Sequence, residues 1–221
     1  VRVESQRISE AIGTSVSETD SLLFVLLQLQ GLAKILQTES FISTRSYAPG
    51  GIANYSVRGS GSQHTQVVWD GIPINDPMLG QTDLSTVALN GISSVRVLYG
   101  SAGLTNNSGG IGGTIELQSL QPRKKDGFDA KLNLYAGSFG AYGVTVQLRD
   151  KYKFLFGTTT IEYHTAKNSF PYLNLATLVD RERVLEHAQV ERIGFSKSIG
   201  AQINAKNTLT ARVNYSQVDR E

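Results

Sequence analysis

From residue 128 onward, apolar and polar residues change places one by one, and a period of two is met only by strands. In "FDAKLNLYA", Phe128, Ala130, Leu132, Leu134 and Ala136 share one parity, while Asp129, Lys131, Asn133 and Tyr135 share the other. "YGVTVQLR" sets Tyr142, Val144, Val146 and Leu148 against Gly143, Thr145, Gln147 and Arg149. "TLTARVNYS" does the same with Leu209, Ala211, Val213 and Tyr215 against Thr210, Arg212 and Asn214. Such strands suit either a half-exposed antiparallel sheet or the wall of a membrane-spanning barrel. The connections favour the barrel. "GSFG", "RDKYK" and "GAQINAK" are short, whereas residues 165–188 form a long insertion, the asymmetry of short turns and long outer loops. One strand breaks the pattern: the parity of Phe154 and Phe156 differs from that of Ile161 and Tyr163, which predicts a bulge near residues 157–160.

The first half reads differently. Residues 1–121 carry six Lys/Arg against nine Asp/Glu, and residues 122–221 fifteen against ten. The shift falls at "SLQPRKKDG", which marks a boundary near Pro122. A hydrophobic content of 40% excludes wholesale disorder, and a net charge of +2 makes no case for nucleic acid. With no cysteine, a disulfide framework and a thiolate metal site are excluded. The most apolar run, "LLFVLLQLQGLAKIL", has 15 residues, fewer than the roughly 20 a membrane-spanning helix needs. It reads as a buried helix or helix pair, capped at Thr19 or Asp20, running through Leu27 and again over 32–37. Short strands are expected at 1–5, 42–45, 55–58, 66–70, 94–99 and 114–119, joined by Gly-, Ser-, Asn- and Pro-rich connections.

Four glycine-marked strand ends then occur in order: Arg58-Gly59, Asp70-Gly71, Tyr99-Gly100 and Gly110-Ile111-Gly112-Gly113. "SVRGSGSQHTQVVWDGIPIND" and "SSVRVLYGSAGLTNNSGGIGGTIEL", which carry them, resemble the plug of TonB-dependent outer-membrane receptors. The resemblance covers about residues 1–121, and 128–221 fits the first strands of the barrel that follows. "SYAPGG", "VVWDGIPINDPMLGQTDLS" and "KNSFPYLN" look most like the Bacteroidetes-type receptors grouped with cobalamin and siderophore transporters.

That resemblance implies an α+β plug domain (1–121) followed by an incomplete antiparallel transmembrane β-barrel (122–221). It implies active uptake of cobalamin or an iron-siderophore across the outer membrane of a Gram-negative cell, with lipid around the barrel and TonB on the periplasmic side. Matched position by position, Ile52, Asn54, Gly61, Leu79 and Gly80 fall in the ligand-facing apical loops, and Gln81 belongs to the same loops. Arg58, Gly59, Asp70, Gly71, Gly100, Gly112 and Gly113 take structural roles within the plug. Arg58 and Asp70 close neighbouring strands, where charge can lock the plug to the wall or simply solvate a turn. "VRVES" resembles the tail of the segment that pairs with TonB, placing Val1 and Val3 at that contact.

Enzymatic chemistry is not expected. His64, His164 and His187 form no metal-ligand pair, no nucleophile motif is present, and "GGIGGT" lacks the lysine of a phosphate loop. Asp70, Asp76 and Asp83 suggest a cation site or, more simply, turn and cap residues. No cofactor, metal or nucleic acid is expected. Two other classes remain open on sequence: a carbohydrate importer partnered by a lipoprotein lid, and a soluble cell-surface binding or adhesion module.

Overall fold

The structure is a computed structural model describing residues 15–27, 31–39, 42–46, 53–57, 59–87, 89–99, 112–176, 182–204 and 207–220. Its first part is a mixed sheet backed by two short helices. Helix α1 (Ser21–Leu27) starts where the Asp20 carboxylate accepts the Leu23 N–H at 3.2 Å, so Asp20 is the cap. Helix α2 (Leu32–Glu39) buries Leu32, Ile35 and Leu36, the i, i+3, i+4 stripe of an amphipathic helix. These side chains pack with Phe24, Val67, Val95, Val97, Ile115 and Leu117 in a single core.

Strand β1 (Ser15–Glu18), β2 (Ile42–Ser46), β3 (Ala53–Val57), β4 (Thr65–Trp69), β5 (Ile72–Pro73), β6 (Ile92–Tyr99) and β7 (Gly113–Ser119) complete this unit. Five of them form one sheet in the order β1-β6-β7-β4-β5, with β4 and β7 parallel, while β2 and β3 form a separate hairpin. The Asp70-Gly71 pair joins β4 to β5 as a two-residue turn. Asp70 has φ +47° and Gly71 φ +87°, and positive φ at both centres is the geometry that matches the twist of the flanking strands. Trp69 packs partly buried against the core, its indole N–H donating to Ser119 Oγ at 2.7 Å. The strand expected at 1–5 and the sites Val1, Val3, Ile52, Arg58 and Gly100 lie outside the described residues.

The second part is an antiparallel meander of β8 (Gly127–Gly137), β9 (Ala141–Tyr152), β10 (Leu155–Ala166), β13 (Val190–Gln202) and β14 (Thr208–Arg220). Strands of 11 to 13 residues are long enough to cross a bilayer when tilted. Between β10 and β13 the long connection carries a small hairpin, β11 (Pro171–Leu173) with β12 (Glu182–Val184). The sheet is open, with β8 and β14 at its edges.

The expected bulge near residues 157–160 is absent. β10 pairs in unbroken register with both β9 and β13. Ile161 and Tyr163 point outward with Leu155, and Phe156 turns inward, where its ring fills the space left by its partner Gly200. Phe154 lies in the turn, outside the alternation.

Candidate functional site

The two parts meet along a polar seam, and its contacts set the direction in which the α+β unit is seated. Near the start of β14, Arg212 forms an ion pair with Asp70 Oδ2. Midway, Ser216 Oγ donates to the Thr86 carbonyl at 3.4 Å. At the far end Arg220 meets Asp83 Oδ2 at 3.3 Å and also reaches Ser85 Oγ. Arg212 and Arg220 stand eight residues apart on one strand, a separation of about 26 Å at ~3.3 Å per residue. The Asp70 turn therefore lies at the end of the sheet where β9 joins β10 and β13 joins β14, and Asp83 at the end where the long connection leaves β10.

Asp70 is a junction rather than a solvated turn residue. Its N–H donates to Leu117 O at 3.0 Å and its Oδ1 accepts the Ser119 N–H at 2.9 Å, while Oδ2 serves Arg212. Asp83 does the equivalent work at the other end, accepting the N–H groups of Ala53 (3.1 Å) and Ser85 (3.0 Å). Asp76 Oδ1 accepts from Met78 and Leu79 at 2.8 and 2.9 Å. All three aspartates are thus engaged in turns and seam contacts, and no group of three metal-ligating side chains gathers among the described residues.

Close approach along β13 depends on small inward residues. Gly194, Ser196, Ser198 and Gly200 share the inward parity; Ser196 lies against Gly91, and a Cβ on Gly194 would stand 3.1 Å from the Asn90 side chain. Gly91 is tighter still: φ is +76° and an added Cβ would come within 2.6 Å of Ser196 Oγ. Gly91→Ala should therefore cost about 1–3 kcal/mol from backbone strain and contact together. Limited proteolysis checks this, because a poorly seated unit is cleaved faster. Adding Ser196→Gly should recover only the contact share. Sequence alone gave no sign of this surface, since serine and glycine in a strand read as weak strand formers.

A buried ion pair lies higher on the same face, Arg192 to Glu162 at 2.7 Å, with the two side chains 7% and 2% exposed. Below it, between β7 and the second sheet, is a cleft of about 1190 Å³ lined by Asp70, Arg96, Glu116, Arg123, Lys151 and Arg212. Burial pushes the Glu116 carboxyl above the usual carboxylate range, with Arg96 at 3.9 Å opposing the shift.

At the Asp83 end, residues 59–64 and 75–83 form adjoining loops. Ser62 Oγ contacts Gln81 Oε1, and a Cβ on Gly80 would touch Gln63 at 3.8 Å. Asn75 staples them: its Oδ1 accepts the Val67 N–H at 2.8 Å, and its Nδ2 donates to Thr65 O and Gly80 O, both at 3.1 Å. Met78 and Leu79 are left at the tip, 93% and 66% exposed. Gly61 caps the short 3-10 turn Ser62–His64. Asn54 stands half-buried on β3, next to the Ala53 held by Asp83. The structure thus gathers Gly61, Leu79, Gly80 and Gln81 on two neighbouring loops, with Asn54 beside their base. Gly59, open on its Cβ side, opens the first loop, and the Gly112 N–H donates to His64 O at 2.9 Å, just before Gly113 begins β7.

The family model described as the TonB-dependent receptor plug domain matches residues 10–114. The chain carries the plug domain of a TonB-dependent receptor. It is an α+β plug followed by antiparallel barrel strands that do not close, and it belongs in the Gram-negative outer membrane. The vitamin B12 transporter BtuB of Vibrio vulnificus (strain YJ016) is 25% identical over 128 residues, covering 58% of this chain and 21% of its own length. Among solved structures, the pyoverdine outer membrane receptor FpvA of Pseudomonas aeruginosa PAO1, bound to pyoverdine, superimposes with a TM-score of 0.73 at 18% identity. That match covers 92% of this chain and 27% of the receptor. The siderophore receptor PiuA of Acinetobacter baumannii gives 0.70 at 20% identity, covering 93% and 26%. Both are likenesses of fold. The chain spans about a fifth to a quarter of these relatives.

Proposed function

We propose that residues 1–121 are the plug and 122–221 the opening strands of the wall in an active importer. Its ligand is scarce and large, cobalamin or a ferric siderophore, and TonB supplies the energy from the periplasmic side. Transport, rather than catalysis, is the activity assigned. The observation that carries this reading is the seating of the plug between Asp70–Arg212 and Asp83–Arg220. It supports an orientation with the β9–β10 and β13–β14 turns toward the periplasm and loops 59–64 and 75–83 toward the outside, on the side of the long connection and the short β8–β9 turn. Kinship in sequence favours cobalamin, and likeness of fold favours siderophores.

Binding and uptake of labelled cobalamin and of ferric siderophores by cells carrying the full-length receptor test this reading. One ligand should bind with or without TonB and enter only with it. Uptake that ignores TonB would overturn the assignment. In the same cells, deleting Leu79-Gly80-Gln81 should weaken binding at least tenfold while the receptor stays folded, because loop tips tolerate change better than strands. Substitutions at Val1 or Val3 should leave binding intact and reduce uptake. The reverse result would mean that the ligand approaches from the other end.

A further inference from the structure

The outward face of the second sheet is largely apolar, so its charged exceptions stand out. Lys197 lies between Phe195 and Ile199 on the outward parity of β13, because its neighbours Ser196 and Ser198 are buried against the plug. Its ammonium donates to Thr159 Oγ1 at 2.7 Å, on the strand partner directly opposite. Asp150 is exposed on the same face of β9, and its carboxylate leans over its partner Gly157, where an added Cβ would stand 2.7 Å from Oδ1. Neither charge belongs to an ion pair among the described residues. Gly157 and Thr159 are two residues apart on β10, so the anchors of the opposite charges stand about 7 Å from each other.

Depth decides what such a pair can hold. Phe128, Tyr152 and Phe154 are all exposed at the short-turn end, the aromatic girdle that marks a membrane interface. Phe128, Asp150 and Gly157 are successive cross-strand partners, so Asp150 sits at that girdle, and Lys197 stands one rung further in. A lysine stem is long enough to carry its charge back toward the interface.

We propose that Asp150, Thr159 and Lys197 form a headgroup site for an amine-bearing phospholipid of the periplasmic leaflet. The lipid phosphate takes the Lys197 ammonium and the Thr159 hydroxyl, and the lipid ammonium takes the Asp150 carboxylate. Ile161 and Phe195, on the next rung, receive the acyl chains. An anionic headgroup without an amine meets Lys197 but is repelled by Asp150. A choline headgroup has no N–H to donate. The proposal rests on the membrane-wall orientation given above.

Native mass spectrometry of the full-length receptor, titrated with phosphatidylethanolamine, phosphatidylglycerol and phosphatidylcholine of matched chains, tests it. Phosphatidylethanolamine should be retained at least fivefold better than the other two. Asp150→Asn should remove that preference while leaving phosphatidylglycerol retained as well or better, and Lys197→Gln should weaken both. Thr159→Val keeps both charges, so it should lower retention without changing the order. Heat-modifiable migration confirms that each variant is folded. Equal retention of the three lipids, or a preference that survives Asp150→Asn, overturns the site. So does a Lys197-dependent dimer in the spectra, which would assign this face to a second copy. Ligand uptake plays no part in the readout, so the lipid site and the transport reading fail separately.

Discussion

Replacing Glu162 with Leu should destabilise the full-length receptor by about 3–5 kcal/mol, the cost of removing one member of a buried ion pair. Glu162 and Arg192 are both almost fully covered, and the carboxylate receives Arg192 at 2.8 Å through Nε and 2.7 Å through Nη2. Without it the guanidinium remains between β13 and the plug, where water cannot replace two charge-assisted hydrogen bonds. The double variant Glu162→Leu with Arg192→Met should recover most of the loss, since neither charge is then stranded. Urea unfolding in lipid vesicles, followed by Trp69 fluorescence and by heat-modifiable migration, gives the number. A single-variant cost below about 1 kcal/mol would mean that the pair behaves as a solvated surface bridge.

Leu134→Arg should cost about 2–4 kcal/mol when Leu134 faces the middle of the bilayer. Leu134 is 74% exposed, and its rung continues outward through Val144, Tyr163 and Ile193. Lys131 has the opposite parity, with Asp129 and Asn133, so Lys131→Leu should change assembly little. The same vesicle measurement compares them. A harmless Leu134→Arg beside a disruptive Lys131→Leu would reverse the inner and outer faces of the whole sheet.

How much of this was legible beforehand depends on the kind of signal. Alternation over β8, β9 and β14 was plain, because each strand has one wet and one dry face. The Asp70-Gly71 turn was equally readable, since few other pairs accept positive φ twice. β10 misled because Phe156 looks like a lipid-facing aromatic, and only its partner Gly200, 44 residues later in the chain, reveals an inward pocket for the ring. β1 was not anticipated. Its four residues, Ser-Val-Ser-Glu, hold one apolar side chain, and its identity as a strand comes from pairing with β6. At the candidate site the glycines announced the loops, but the residues that organise them did not stand out. Asn75 reads as one more polar turn residue until its three hydrogen bonds are seen together. The Arg212 and Arg220 partners of Asp70 and Asp83 lie more than 130 residues away, beyond any local pattern.

The two arginine–aspartate pairs that seat the plug are each roughly a quarter to a third exposed. Ionic strength therefore acts on them directly, because partly solvated charges are screened over a Debye length of about 8 Å in physiological salt. The apolar core around Ile115 and Leu117 feels no such screening. Raising salt should loosen the plug in its socket while leaving its own sheet intact, so the joint and the body it holds answer to different solvents: one to dissolved ions, the other to water itself.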